Sequence, residues 1–256
     1  MPRHLRLLSL VLLVLCAGVP PAQAALKVLA TTPDWGSLVN ELGGDKVNVY
    51  TATSPFQDVH RVDAKPSLLA RARSADLVVA TGADLEIGWM PVLLQDSGNS
   101  KIQPGALSAR LALVDPANSA YYASRGEDFQ KRWQQATLKW EAEAAPLRGV
   151  PVAVIHRDQA YLCHWLGIRE LASIEPKPGV PPSAGYLAEL VTKLTATPPK
   201  VILRNAYNDP RAAEWLAERI HVPVVLLPYT VGGTPEAKDL FGLFDDTLKR
   251  LLAANQ

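Results

Sequence analysis

The stretch Val152-Ala153-Val154-Ile155-His156 places an unbroken apolar run directly before a histidine. A strand that is apolar throughout is typical of a parallel sheet covered on both faces, because neither side of the strand meets water. The carboxyl ends of such strands are where open α/β sheets bind their ligands. The stretch therefore predicts a parallel sheet and a ligand-facing histidine, His156.

Similar strands alternate with helical patterns on both sides of this stretch. Before it, we predict strands at 26–32, 47–53 and 75–82, and helices at 34–42, 66–73 and 85–94, the first of them capped by Asp34. From it onward, we predict strands at 150–155, 170–174, 200–203 and 222–227, and helices at 160–166, 183–194, 210–220 and 237–252. The alternation predicts an α/β fold with two lobes, each a mainly parallel sheet flanked by helices.

One long helix separates the two series. From 119 to about 145, aromatic and apolar residues recur at near-helical spacing without an internal proline, whereas the pattern from 104 to 116 is irregular. We expect this helix to join the lobes as a spine. The predicted organisation is a signal peptide at 1–24, an N-terminal lobe at 25–117, the spine helix at 118–147 and a C-terminal lobe at 148–256.

Residues 1–24 have the features of a secretory signal peptide. Basic residues precede an apolar run from 7 to 19, and Ala22-Gln23-Ala24 offers small residues to a signal peptidase. We expect export to the periplasm and cleavage after Ala24. Lipidation at Cys16 is disfavoured because Leu15, rather than a small residue, precedes it. Cleavage would leave Cys163 alone, which predicts a buried thiol and excludes an internal disulfide.

The charge balance argues against a nucleic-acid or anionic-membrane surface. The chain has 26 basic and 25 acidic residues, and the predicted leader holds Arg3 and Arg6 but no acid. The exported chain would thus be close to neutral, without the basic excess that such partners require. We expect a monomer that binds no nucleic acid.

A second candidate ligand lies in the polar loop from Ser54 to Ser67, which follows a β-branched run. His60 stands near the centre of this loop, and imidazole is the commonest protein ligand of metals. The predicted topology brings His156 and the 229–239 segment to one rim, which His60 could face from the other lobe. His221 precedes a strand at the opposite end of the sheet, so we expect a structural role for it.

The chain resembles the zinc/manganese solute-binding proteins of bacterial ABC importers over nearly all of its length after the leader. The motifs that carry this resemblance are Asp58-Val59-His60, Lys65-Pro66-Ser67, Ala75-Asp76-Leu77-Val78 with Gly82, Glu86 and Trp89, the long helix, His156 with Tyr161 and Leu166-Gly167, and Glu175-Pro176 with Pro181-Pro182-Ser183. Each motif is weak alone, but their order and spacing are fairly specific.

The resemblance implies one divalent ion held between the lobes and delivered to the permease of an ABC importer in the inner membrane. It makes His60 the ligand from the first lobe and His156 a ligand from the second. Neutral imidazoles with an oxygen ligand favour Zn²⁺, the expected transported ion, and a larger share of carboxylate would favour Mn²⁺.

The sequence also departs from the family pattern. No histidine lies between His60 and His156, where the family carries a further ligand, and the region after Lys101 reads as if some tens of residues were missing. Pro228-Tyr229 stands where the family places an acidic ligand. Asp239 is the best substitute and completes the predicted metal set His60, His156 and Asp239, although an acid in the first turn of the last helix is slightly favoured for it.

Further substitutes are less favoured. Glu236 and Glu175 stand behind Asp239 as carboxylate candidates, and His164 is expected to be a partly buried helical residue rather than a ligand.

Two other functions stay open at this point. The fold could persist as a partner-binding module, or as a binder of another small solute, after metal capture was lost. A zinc hydrolase is the least favoured, because the sequence lacks a His-Glu-x-x-His pair and a Gly-x-Ser-x-Gly elbow. We therefore expect a protein that is not an enzyme.

Overall fold

The computed structural model describes residues 24–82, 85–99, 107–177 and 179–256. The predicted leader up to residue 23, Cys16 within it, and the segment from 101 to 105 lie outside these ranges. Within them, no helix combines the length and the apolar character that crossing a bilayer requires.

The first lobe is built on a three-stranded parallel sheet. Its strands are β1 (Leu26–Ala30), β2 (Val47–Thr51) and β3 (Leu77–Val79), in the order β2-β1-β3. Its helices are α1 (Pro33–Gly43), α2 (Pro66–Ser74), α3 (Met90–Ser97) and α4 (Leu107–Val114). Apolar residues of both sheet faces are buried against these helices, as expected for parallel strands covered on both sides.

The second lobe repeats this plan with four parallel strands. They are β4 (Pro151–Val154), β5 (Arg169–Ser173), β6 (Val201–Asn205) and β7 (Val224–Leu227), in the order β5-β4-β6-β7. The helices are α6 (Ala160–Leu166), α7 (Ala184–Ala196), α8 (Arg211–Ile220) and α9 (Leu240–Ala254). Cys163 is buried in the core of this lobe, as predicted.

Helix α5 (Ser119–Glu143) joins the two lobes, and its 25 residues correspond to a length of about 37 Å. Tyr122, near its start, is fully buried in the core of the first lobe, and Trp140, near its end, is fully buried in the core of the second. Trp133 and Trp140 form an aromatic cluster with Phe241 and Phe244 of α9. The predicted fold class is therefore confirmed: two parallel α/β lobes connected by one long helix.

Three local predictions were wrong. The helix predicted from 85 begins only at Met90, because Pro91 lacks an N–H and is tolerated only in a first helical turn. The region predicted to be irregular contains α4. Asp34 does not cap α1: Thr32 takes the N-cap position, and the Asp34 carboxylate turns to the other lobe, where it accepts a hydrogen bond from Val231 N at 2.9 Å.

Candidate metal site between the lobes

The loop between β2 and α2 carries His60 and is fixed at two points. The Asp58 carboxylate accepts hydrogen bonds from the backbone N–H of His60 and from its ring Nδ1, both at 2.9 Å. Burial alone would raise the pKa of Asp58, but these hydrogen bonds lower it below its ordinary value. Val59 is buried, and its carbonyl accepts the indole N–H of Trp89 at 2.9 Å. The imidazole of His60 is thus held on an anchored loop while its side chain stays 48% exposed.

His156 follows β4 at the carboxyl end of the second sheet. Its Nδ1 lies 2.7 Å from Oε2 of Glu175, which follows the neighbouring strand β5. The same Glu175 oxygen accepts the backbone N–H of Gly179 at 3.2 Å, and the Glu175 N–H bonds to the carbonyl of Ile155 at 3.0 Å. Parallel pairing of β4 with β5 therefore places the carboxylate beside the imidazole.

The two histidines meet across the cleft, with ring centroids 6.4 Å apart and ring planes at 69°. An ionised carboxylate only accepts hydrogen bonds, so Nδ1 of each ring carries the proton and Nε2 keeps its lone pair. Carboxylates hold metal-binding histidines in this way. With Zn–N bonds of about 2.0–2.1 Å, two imidazoles on one tetrahedral ion have centroids roughly 5 Å apart, so an approach of about 1 Å would bring these rings onto a shared ion.

A polar network that the sequence reasoning missed lies beside His156. The Asp158 carboxylate accepts hydrogen bonds from the Asn205 amide and, at 2.6 Å, from the Tyr207 hydroxyl. Burial raises the pKa of Asp158, and these hydrogen bonds and His156 oppose that rise. Tyr207 also packs edge-on against Tyr229, at 4.9 Å between centroids. The available signals were the position of Asp158 two residues after His156 and the polar run after β6.

The structure places the third predicted ligand, Asp239, at the N-cap of α9, where its carboxylate accepts the Gly242 N–H at 2.8 Å. In the described ranges no group of three or more His, Cys, Asp or Glu side chains is arranged to hold a metal ion. His60 and His156 are thus brought together, whereas Asp239 is not gathered with them into one site.

The remaining candidates lie in other contacts. Glu236 pairs with Arg250 at 3.5 Å. His164 is exposed on α6, so the expectation of partial burial was wrong. His221 ends α8 with φ of 56°, in the left-handed conformation, which is a structural position.

Two α/β lobes, a helix that joins them and a cleft with facing imidazoles define the class of two-lobed solute-binding proteins. Within this class, the chain matches the ZnuA family, described as the periplasmic component A of the zinc-uptake complex, over residues 28–108 and 95–254. The chain belongs to this family. The two parts of the match meet at 95–108, where the sequence suggested a missing segment. The family is a transport component and not an enzyme, in agreement with the prediction.

Two characterised relatives match only part of the chain, at less than 30% identity. The chain is 29% identical to the manganese ABC transporter substrate-binding lipoprotein PsaA of Streptococcus mitis over 96 residues. This aligned stretch covers 35% of this chain and 31% of PsaA. The chain is 28% identical over 100 residues to the iron ABC transporter substrate-binding lipoprotein MtsA of Streptococcus pyogenes serotype M1, 37% of this chain and 32% of MtsA. The chain thus spans about a third of the length of these relatives.

Solved structures agree with the fold. A crystal structure of ZnuA matches with a TM-score of 0.77 at 19% identity, covering 91% of this chain and 99% of that one. A periplasmic metal-binding protein from Candidatus Liberibacter asiaticus matches with a TM-score of 0.74 at 15% identity, covering 90% and 99%. At these identities the similarity concerns the fold alone.

Proposed function

We propose that this protein is an exported solute-binding protein that captures a divalent transition metal between its lobes and delivers it to the permease of an ABC importer. The observation that carries the proposal is the pair of imidazoles, one from each lobe, that face each other with each Nδ1 held by a carboxylate. A site that draws ligands from both lobes couples ion capture to the relative position of the lobes.

Zinc is the proposed ion. Two neutral imidazoles suit zinc or iron better than manganese, which prefers carboxylate, carbonyl and water oxygens. The relatives named above are a zinc, a manganese and an iron protein; the ligand chemistry of this chain disfavours manganese, and its membership of the zinc-uptake family favours zinc over iron. Asp239 is proposed as a third ligand only if it leaves its capping position, and water or another molecule fills the positions that remain.

Export through the leader at 1–24 and periplasmic location belong to the same proposal. The small residues before Ala25 favour cleavage there over lipidation at Cys16.

Calorimetric titration with zinc tests the function directly. We expect metal-stripped protein to bind one zinc ion per chain, and a His60→Ala, His156→Ala double variant to lose this binding. The matched control changes the two histidines outside the cleft, His164→Gln and His221→Asn, and should bind as the unchanged protein does. Equal binding by both double variants, or no binding by the unchanged protein, would exclude this site and leave the partner-binding module as the better reading.

A further inference from the structure

A cavity of about 680 Å³ opens beside the two-histidine site, within the second lobe. His156 and Glu175 line one end, and the cavity continues between β5 and α7 as far as Lys193. Its volume lies within the range of about 300–1,000 Å³ that small-molecule sites occupy. A single metal ion needs only a small part of this space.

Basic side chains surround this cavity. Arg157, Lys177 and Lys193 line it; Arg157 is 72% exposed and pairs with Glu170 at 3.0 Å, and Lys193 donates to the Leu171 carbonyl at 2.9 Å. An ammonium group has three donors, so Lys193 keeps two for a ligand.

A further cation reaches the same rim from the first lobe. Nη2 of Arg61, the residue after His60, lies 2.6 Å from the position that a Cβ on Gly179 would occupy, beside the 177–180 turn. Three carboxylates stand against these four basic groups, because Glu175 and Glu189 line the cavity and Glu170 pairs with Arg157, which leaves a small excess of positive charge. The cavity and its rim therefore favour an anionic ligand.

The metal site itself lacks donors. Zinc in proteins is almost always four-coordinate, and the two imidazoles supply two ligands. No third protein ligand stands with them in the described part of the chain. The remaining donors must come from water or from a molecule that arrives with the ion.

We propose that the solute of this site is a divalent metal ion already bound to a small polycarboxylate chelator. The imidazoles of His60 and His156 bind the ion, and the free carboxylates of the chelator lie in the cavity against Arg157, Lys177 and Lys193. This inference rests on the proposed function and specifies its substrate class.

The test compares calorimetric titrations of metal-stripped protein with zinc chloride, with citrate alone and with equimolar zinc citrate, in a buffer that does not coordinate zinc. If the protein bound only the free ion, citrate would compete for zinc and weaken the apparent affinity. The inference predicts the opposite sign: zinc citrate binds at least about tenfold more tightly than zinc chloride. Radiolabelled citrate should then co-elute with protein and zinc in gel filtration, in a ratio of one to one to one.

A variant pair locates the chelator. Lys177→Gln should lower the affinity for zinc citrate about tenfold, whereas Lys131→Gln, on the exposed surface of α5, should leave it unchanged. Binding of zinc chloride that citrate weakens, with no citrate retained, would overturn this inference and leave the proposed function standing. Binding of neither zinc nor zinc citrate would overturn both.

Discussion

Asp34 of the first lobe accepts a hydrogen bond from the backbone N–H of Val231 in the second lobe, 2.9 Å away and 197 residues further along the chain. Asp34 lines a cavity of about 290 Å³ that residues of both lobes enclose, among them Trp35 and Tyr229. A partly buried carboxylate thus takes part in setting how the lobes sit together.

The Asp34 contact gives a prediction for stability. Asp34→Ala leaves the Val231 N–H without its acceptor and should lower the free energy of unfolding by about 1–3 kcal/mol. Asp34→Asn keeps an oxygen acceptor and should lose far less. Urea denaturation of the two variants at neutral pH measures the difference, and equal losses would mean that the hydrogen bond is not the source of the stabilisation.

The same residue gives a pH dependence with a defined sign. Burial raises the pKa of Asp34 above its ordinary value of 3.8, against the lowering effect of Thr230 and Val231. Because the folded state holds this proton more tightly than the unfolded chain, the contribution of Asp34 to stability falls as pH rises from 3.8 through the raised pKa. Asp34→Asn should therefore gain stability relative to the unchanged protein across that window. A difference between the two proteins that is constant with pH would contradict this.

Glu175 should act as a positioning residue for His156. Glu175→Gln removes the charge that holds Nδ1–H, so we expect zinc affinity to fall about 10- to 100-fold while the fold is kept. Glu189→Gln, on the wall of the same cavity but outside the metal site, is the control and should change zinc affinity little. Competition with a fluorescent zinc chelator gives both affinities, and circular dichroism checks the fold.

Trp89 should help to position the His60 loop through its hydrogen bond to the Val59 carbonyl. Trp89→Phe keeps an aromatic ring but removes the donor to the buried Val59 carbonyl. We expect a loss of about 1–3 kcal/mol in the free energy of unfolding and a fall of up to about tenfold in zinc affinity. Trp165→Phe, which also loses an indole hydrogen bond, here to Glu141 at the surface, is the matched control. Equal effects of the two variants on zinc affinity would rule out a positioning role for Trp89.

Two glycines with positive φ should respond differently to substitution by alanine. Gly44 has φ of 52°, and a Cβ there would lie 2.2 Å from the Tyr121 hydroxyl; Gly98 has φ of 64° with nothing within 4 Å. Gly98→Ala should cost about 1–2 kcal/mol from the left-handed conformation alone. Gly44→Ala should cost more, because its backbone (φ 52°, ψ −129°) lies outside the left-handed helical region and the Tyr121 side chain would also have to move. Thermal unfolding of both variants gives the order, and a smaller loss at Gly44 would contradict it.

The approach of His60 and His156 could be predicted, because each lies beyond a strand of a parallel sheet and the carboxyl ends of such strands gather at one rim. Their carboxylate partners were harder to predict. Glu175 was considered only as a spare ligand, since its role depends on β5 pairing beside β4. The link from Asp158 to Tyr207 spans 49 residues and depends on β6 lying on the other side of β4. Strand order of this kind is set by packing of the whole lobe, which local patterns do not encode.

The helix α4 (Leu107–Val114) was not predicted from the sequence, and the reason is local. Leu111 is the one residue of α4 that is fully buried, so the segment shows little amphipathic periodicity, and its packing on α5 determines its helical state.

The aromatic cluster where the spine helix enters the second lobe also provides an intrinsic spectroscopic signal. The indoles of Trp133 and Trp140 lie 5.2 Å apart at 77°, close enough for their electronic transitions to couple. Such coupling produces a circular-dichroism signal that vanishes once the rings separate. Because both tryptophans belong to α5, this signal follows the unfolding of the spine helix itself, without any label.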